Sequence, residues 1–120
     1  HKVVTIFDEP NAMEAAVKDL RANGIQDEEI EAFCGHEGEK RLDFTGARHG
    51  VLATILRSLQ HIGPDRTYLE RYERHLAEGH CMVMVSVDST LKKERVARIL
   101  HNHTEERVTY FGLLAADEIQ

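Results

Sequence analysis

The amino-acid sequence predicts a single α+β domain of 120 residues, because chains of this length usually support one hydrophobic core. Two observations indicate the class. Short apolar segments rich in β-branched residues alternate with capped amphipathic segments, and the strand–helix–strand order that results occurs twice. A third observation concerns residues 35–80, which separate the two halves, whereas connections in compact domains usually have about 4–6 residues.

The first half has the pattern of a strand, a helix and a second strand. Residues 2–7, Lys-Val-Val-Thr-Ile-Phe, are largely β-branched or aromatic and carry apolar side chains on both faces. Pro10 suits the first turn of a helix, which continues with apolar residues at helical spacing and ends at Gly24. Residues 29–34 alternate between apolar and polar character, which predicts a second strand.

The second half repeats this order. Residues 81–87, Cys-Met-Val-Met-Val-Ser-Val, are the strongest strand signal in the chain. Residues 88–90 supply capping side chains for a helix that runs to about Leu100, and residues 107–114 form the last strand. Two such halves usually close into a ferredoxin-like βαβ–βαβ sandwich, a four-stranded antiparallel sheet with two helices on one face. Right-handed crossovers place the first and third strands side by side at its centre.

The long connection is predicted to be a helical hairpin inserted between the second and third strands. An apolar stripe across residues 52–62 ends at Gly63-Pro64. A second helix, capped by Asp65, ends at Gly79. Because the other two helices cover only one face of the sheet, the hairpin is expected to fold over the bare face or to pack against a second copy of the chain.

Composition and charge exclude several classes of partner. Fifteen basic and 21 acidic residues give a net charge of −6, which argues against nucleic acid or an anionic bilayer as the partner. No apolar run approaches the ~20 residues of a membrane-spanning helix. Two cysteines cannot form a disulfide scaffold, and a chain without an export signal is expected in the reducing cytoplasm.

The first candidate site lies in a glycine-rich stretch, residues 35–50. His36, Asp43, Arg48 and His49 stand among its four glycines, and these side chains donate, accept and titrate near neutral pH. They predict a pocket for a small anion, held by Arg48 and a helix N-terminus. The alternative is an irregular loop that leads into a helix.

The second candidate site is a zinc quartet at the junction of the sheet and the inserted hairpin. If the second and third strands are antiparallel neighbours, the end of one faces the start of the other. This brings Cys34 and His36 towards His80 and Cys81. Two thiolates and two imidazoles suit tetrahedral zinc. Two alternatives stay open, namely buried structural cysteines without a ligand and a disulfide between them.

Enzyme signatures are absent from the sequence. There is no G-x-S-x-G elbow, no H-E-x-x-H motif and no certifiable pair of catalytic carboxylates. Asp43 and His49 could form a catalytic acid–base pair, but their spacing in the sequence matches no recognised catalytic motif. The sequence therefore favours a protein that is not an enzyme and that needs no cofactor other than the predicted zinc.

Several stretches resemble the bacterial heat-induced general stress protein domain and related uncharacterised stress proteins. They are residues 3–8, residues 20–25, residues 72–80, Leu42-Asp43, Arg48-His49-Gly50 and the closing Tyr110-Phe111-Gly112. The resemblance covers most of the chain. It implies a ferredoxin-like fold in a cytoplasmic bacterial protein expressed under stress, and it implies no activity and no catalytic residue.

Three functional hypotheses follow. The first is a non-enzymatic, stress-associated binding or interaction protein that forms a homodimer, because the predicted helices leave one face of the sheet bare. The second is a sensor for a small anion or a metal, with its site at the junction of sheet and insertion. The third is a small dimeric enzyme of the ferredoxin-like superfamily, such as a cofactor-independent oxygenase.

Overall fold

The chain forms one antiparallel sheet with helices packed against it. The computed structural model describes residues 1–35, 66–112 and 116–119, and for Phe33, residues 66–69, Glu73 and residues 116–119 it describes the backbone alone. The elements are β1 (Lys2–Phe7), α1 (Pro10–Ala22), a 3₁₀ turn (Asp27–Glu29), β2 (Ile30–Cys34), α2 (Arg66–Ala77), β3 (Cys81–Ser86), α3 (Thr90–His101), β4 (Val108–Phe111) and β5 (Ala116–Ile119).

The sheet has the strand order β2-β3-β1-β4-β5, and all neighbouring strands are antiparallel. The predicted α+β class and the predicted antiparallel strands are therefore confirmed. The last strand differs from the prediction, because β4 stops at Phe111 and a separate strand β5 pairs with it. The sequence of β5, Ala-Asp-Glu-Ile, contains residue types that are depleted in strands, so composition alone does not indicate it.

One face of the sheet packs against α1 and α3. Side chains alternate between the two faces of a strand, and Val3 and Phe7 of β1 point towards these helices together with Val83 and Val85 of β3. The core that they form also contains the buried helix residues Ala16, Val17, Leu20, Val96, Ala97, Ile99 and Leu100. This burial of apolar surface is the main source of stability for such a layer.

The opposite face of the sheet is buried as well. Val4, Met82 and Met84 are fully buried, and the ring of Tyr72 in α2 meets the ring of Phe111 edge-on, with centroids 6.2 Å apart. Helix α2 thus contacts the face that α1 and α3 leave uncovered, in keeping with the first of the two alternatives expected for the hairpin. The homodimer itself stays a prediction.

Strand β2 ends at Cys34, and β3 begins at Cys81. These residues are directly opposed in the β2–β3 ladder, with Cα atoms 4.0 Å apart. Helix α2 lies where the second helix of the predicted hairpin is expected. Residues 52–62, its predicted first helix, lie outside the described residues.

Among residues 1–35 and 66–112, no helix combines the length and the apolar character that crossing a bilayer requires.

An ion pair joins the 3₁₀ turn to α3. Glu29 accepts a hydrogen bond from the backbone N–H of Gln26, 3.1 Å away, and another from Nζ of Lys92. The hydrogen bond from Lys92 is the main cause that holds the pKa of the Glu29 carboxyl below its ordinary value of 4.5, and the Gln26 N–H adds to it. The ionised form of Glu29 is therefore favoured in the folded state.

We expect Glu29→Gln to lower the free energy of unfolding by roughly 0.5 kcal/mol at neutral pH, the usual size for a partly exposed ion pair. Because the folded pKa lies below the unfolded one, this stabilisation is complete above the unfolded pKa and is lost as the pH falls through the folded pKa. Urea unfolding over a descending pH series should show the wild type and the variant converging. Glu28→Gln removes an exposed neighbouring carboxylate and serves as the control. A loss that does not change with pH, or an equal loss in the control, would contradict the assignment.

Candidate metal centre

The C-terminus of α2 places two histidine side chains next to each other. The helix ends in a Schellman motif, in which the N–H of Gly79 donates to Leu76 O at 3.1 Å and the N–H of His80 donates to His75 O at 3.0 Å. Gly79 has φ = +88°, a conformation that favours glycine because a Cβ atom would be strained there. This motif brings the side chains of its first and last residues, His75 and His80, into contact.

Helix α1 ends in the same way, and the comparison shows what is unusual about α2. Gly24 has φ = +87°, and the N–H of Ile25 donates to Leu20 O at 3.1 Å. Leu20 and Ile25 are both buried apolar residues, which is the usual pairing at these two positions. In α2 the same positions hold two imidazoles whose side chains are 20% and 24% exposed, those of His75 and His80.

The two rings approach through like nitrogen atoms. Nδ1 of His75 lies 2.8 Å from Nδ1 of His80, and the ring centroids are 5.1 Å apart. Glu78 Oε2 is 3.9 Å from His80 Nδ1. One ligand atom from each of His75, Glu78 and His80 lies within 4.8 Å of the other two, and we call these three residues the 75–80 site. Nitrogen ligands of tetrahedral zinc lie about 3.3 Å apart, given Zn–N bonds of about 2.0–2.1 Å, so small side-chain movements suffice to enclose an ion.

Two further carboxylates come from distant parts of the chain. Asp8, directly after β1, places Oδ1 3.9 Å from His80 Nδ1. Glu106, ahead of β4, places Oε1 3.9 Å from His75 Nε2. The site therefore lies at the end of the sheet where β1 finishes and β3 begins, since Phe7 is paired with Cys81. The carboxylates around the two rings favour the binding of a cation.

The position of Glu106 also bears on which nitrogen of His75 carries the proton. A carboxylate near Nε2 favours the tautomer protonated there, which leaves the Nδ1 lone pair available. With His75 in that tautomer, the 2.8 Å contact would be a hydrogen bond in which His80 Nδ1 donates. In metal sites, a carboxylate on the outer nitrogen of a histidine ligand orients the ring in the same manner.

A cleft of about 280 Å³ opens beside His75. Its lining comprises Ile6, Arg71, Tyr72, His75, Glu106 and Arg107. His75 thus faces His80 through Nδ1 and contributes to the cleft. Glu106 lies near Nε2 of His75, so the cleft is on the side of the ring that does not face His80.

Three of the four residues of the predicted zinc quartet are among the described residues. Cys34 and Cys81 are joined by a disulfide, one of the two alternatives open in the sequence, and bonded sulfurs cannot act as thiolate ligands. The sulfurs also lie on the other side of the sheet, because Cys34 Sγ is 3.7 Å from Met13 Sδ of α1 whereas the His80 ring contacts α2. His36 lies outside the described residues. Of the quartet, His80 alone belongs to the 75–80 site.

The predicted anion pocket of His36, Asp43, Arg48 and His49 lies entirely outside the described residues. It stays a prediction.

Sequence analysis missed His75 and Glu78 as candidate ligands, although a local signal was available. Gly79 is predicted as the end of a helix, and counting from it assigns His75 and His80 to the two positions that a Schellman motif joins. Glu78 lies between them in sequence. The contributions of Asp8 and Glu106 have no such local signal, since they depend on the packing of the strands.

Comparison with protein-family models, with curated proteins and with solved structures finds no match for this chain. The function of the site therefore has to be argued from its own chemistry.

Gly35 holds the end of β2 against the end of α2. Its N–H donates to His80 O at 2.9 Å, and a Cβ atom on Gly35 would overlap the backbone carbonyl of Leu76.

We expect Gly35→Ala to lower the free energy of unfolding by roughly 1–3 kcal/mol, the usual cost of overpacking, as measured by urea unfolding. In the control variant, Gly112→Ala, the new Cβ would meet the movable side chain of Tyr110 at 3.1 Å, so a smaller loss is expected. Equal losses in the two variants would argue against the close approach at Gly35.

Proposed function

We propose that this protein binds a divalent transition-metal ion, zinc foremost, through His75, Glu78 and His80. The observation that carries the proposal is the 2.8 Å approach of the two Nδ1 atoms at the end of α2, with the Glu78 carboxylate in reach. Two imidazoles and one carboxylate are a ligand set that zinc accepts in proteins. The proposal takes up the metal-sensor hypothesis at this end of the sheet, with a different set of ligands.

The alternative to a metal site is a helix end that uses histidines for packing alone. The end of α1 argues against it, because Leu20 and Ile25 complete the same motif with apolar side chains. Two partly buried imidazoles give up hydration without a comparable apolar gain. A bound cation with three carboxylates in its neighbourhood offsets that cost, which favours the metal site.

The ligand types select among metals. Imidazole nitrogen suits zinc, copper, nickel and iron, whereas calcium and magnesium prefer oxygen ligands. The sole carboxylate within the 75–80 site is Glu78, and Asp8 lies 3.9 Å from the same His80 nitrogen. We therefore expect zinc to bind and calcium and magnesium not to compete at similar concentrations.

For the fold, we propose a ferredoxin-like sandwich with one added edge strand. The order β2-β3-β1-β4 in the sheet, with α1 and α3 packed on one face, supports this assignment. In such a fold the 75–80 site lies at the point where β3 enters the sheet. The stress-associated role, the homodimer and the enzymatic alternative stay predictions.

Calorimetric titration of the untagged protein with zinc chloride tests the proposed metal site. We expect one zinc ion per chain, and a loss of affinity of at least tenfold in His75→Ala and in His80→Ala, because each removes a ligand. Glu78→Gln should weaken binding because an amide is a poorer zinc ligand than a carboxylate.

Two control variants lie outside the site. His101→Ala removes an exposed histidine at the end of α3, and Glu94→Gln removes an exposed carboxylate from the same helix. Both should bind zinc as the wild type does. Absence of zinc binding in the wild type, or equal losses in the controls, would refute the site.

Glu106→Gln tests the carboxylate beside His75. Because this residue is not a ligand in our assignment but favours the competent tautomer, we expect zinc affinity to fall by about tenfold while the ratio of one ion per chain is retained. Competition with a chromophoric chelator would measure the change. Glu105 is an exposed neighbour, and Glu105→Gln is the matched control. An unchanged zinc affinity in Glu106→Gln would show that Glu106 does not orient His75.

A further inference from the structure

The Cys34–Cys81 disulfide lies next to the backbone that supports the 75–80 site. Cys81 directly follows His80, and Cys34 directly precedes Gly35. The N–H of Gly35 donates to His80 O at 2.9 Å. The disulfide therefore closes the last pair of the β2–β3 ladder one residue away from a histidine of the site.

The end of β2 also contacts helix α2, which carries His75. Gly35 stands so close to the Leu76 carbonyl that a Cβ atom would not fit between them. Leu76 follows His75 in α2 and accepts the hydrogen bond from Gly79 that closes the helix. The disulfide, the Gly35 backbone and the last turn of α2 are thus in continuous contact, and both imidazoles are attached to this unit.

The sulfur atoms themselves are remote from the metal position. Cys81 is fully buried in the core below α1 and α3, and Cys34 is partly buried against Met13 of α1. Adjacent residues of a strand point to opposite faces, so His80 and Cys81 lie on different sides of the sheet. Any influence of the disulfide on the site has to pass through the backbone, and Cys34 is the less buried of the two cysteines.

We propose that zinc binding at the 75–80 site is under redox control: the protein with the disulfide closed binds zinc tightly, and the reduced protein binds it more weakly. This inference rests on the proposed metal function. Reduction removes the bond that holds the ends of β2 and β3 together, and the two sulfurs must then separate to non-bonded contact within a packed region. The backbone of Gly35 and His80 shifts with them, which misplaces the imidazoles relative to each other.

The reductant is an external dithiol. One of its thiolates attacks a sulfur of the disulfide, the Cys34–Cys81 bond breaks, and a mixed disulfide forms. The second thiol of the reductant then displaces the remaining cysteine. The products are two cysteine thiols and the oxidised, cyclic form of the reductant, so two electrons and two protons pass to the protein.

The experiment compares the zinc affinity of the oxidised protein with that of the protein reduced by a phosphine, which unlike a dithiol competes little for zinc. Chelator competition should show an affinity about tenfold weaker after reduction. The double variant Cys34→Ala/Cys81→Ala should bind with the weaker affinity in both conditions, and its insensitivity to the phosphine checks that the reagent does not act on zinc.

The outcomes separate this inference from the proposed function. No zinc binding by the oxidised protein would refute the metal site itself, whereas equal affinity before and after reduction would leave the site standing and overturn the redox control. Tighter binding after reduction would also overturn it, because the proposal requires the opposite change in affinity. Circular dichroism of the reduced protein must show the helix content of the oxidised one, and an unfolded reduced chain would count against the inference, since the loss would then be global.

Discussion

The left-handed conformation of Gly79 is the constraint on which the site depends. By reversing the chain directly after α2, it sends residue 80 back across the last helical turn and into β3 without an intervening loop. The same reversal makes the hydrogen bond from His80 to His75 O, so the side chains of these two residues have to meet. A larger residue at position 79 would strain the backbone and disturb the helix end, the start of the strand and the ring pair together.

The segments next to β1 and β4 supply two carboxylates, Asp8 and Glu106, that the end of α2 does not itself contain. The pairing of Phe7 with Cys81 sets Asp8 beside His80, and the approach to β4 sets Glu106 beside His75. A local turn therefore provides the proposed ligands, while strands distant in sequence provide the surrounding charge. This division resembles the general arrangement of metal sites, in which outer groups orient and polarise the ligands that touch the ion.

Sequence reasoning succeeded where the determinants are local. The β-branched residues of β1 and β3 and the glycine at the end of α2 indicate their elements directly, and the antiparallel pairing expected of β2 and β3 brought Cys34 close to Cys81. It could not decide between a disulfide and a thiolate ligand, because that choice depends on oxidation and not on spacing. Strand β5 was missed because Ala-Asp-Glu-Ile has low strand propensity and owes its pairing to β4. Asp8 and Glu106 could not be found because tertiary packing alone brings them to the histidines.

The compactness of the 75–80 site in sequence has a consequence for how a metal would act on this protein. All three ligands lie within one hexapeptide, His-Leu-Ala-Glu-Gly-His, so an unfolded chain keeps them within a few residues of each other and retains some affinity for the ion. Metal that binds both states contributes little to the difference between them. Because the packing around the folded site adds affinity that the unfolded chain lacks, zinc would stabilise the folded state, but by less than it would in a site built from distant segments of the chain.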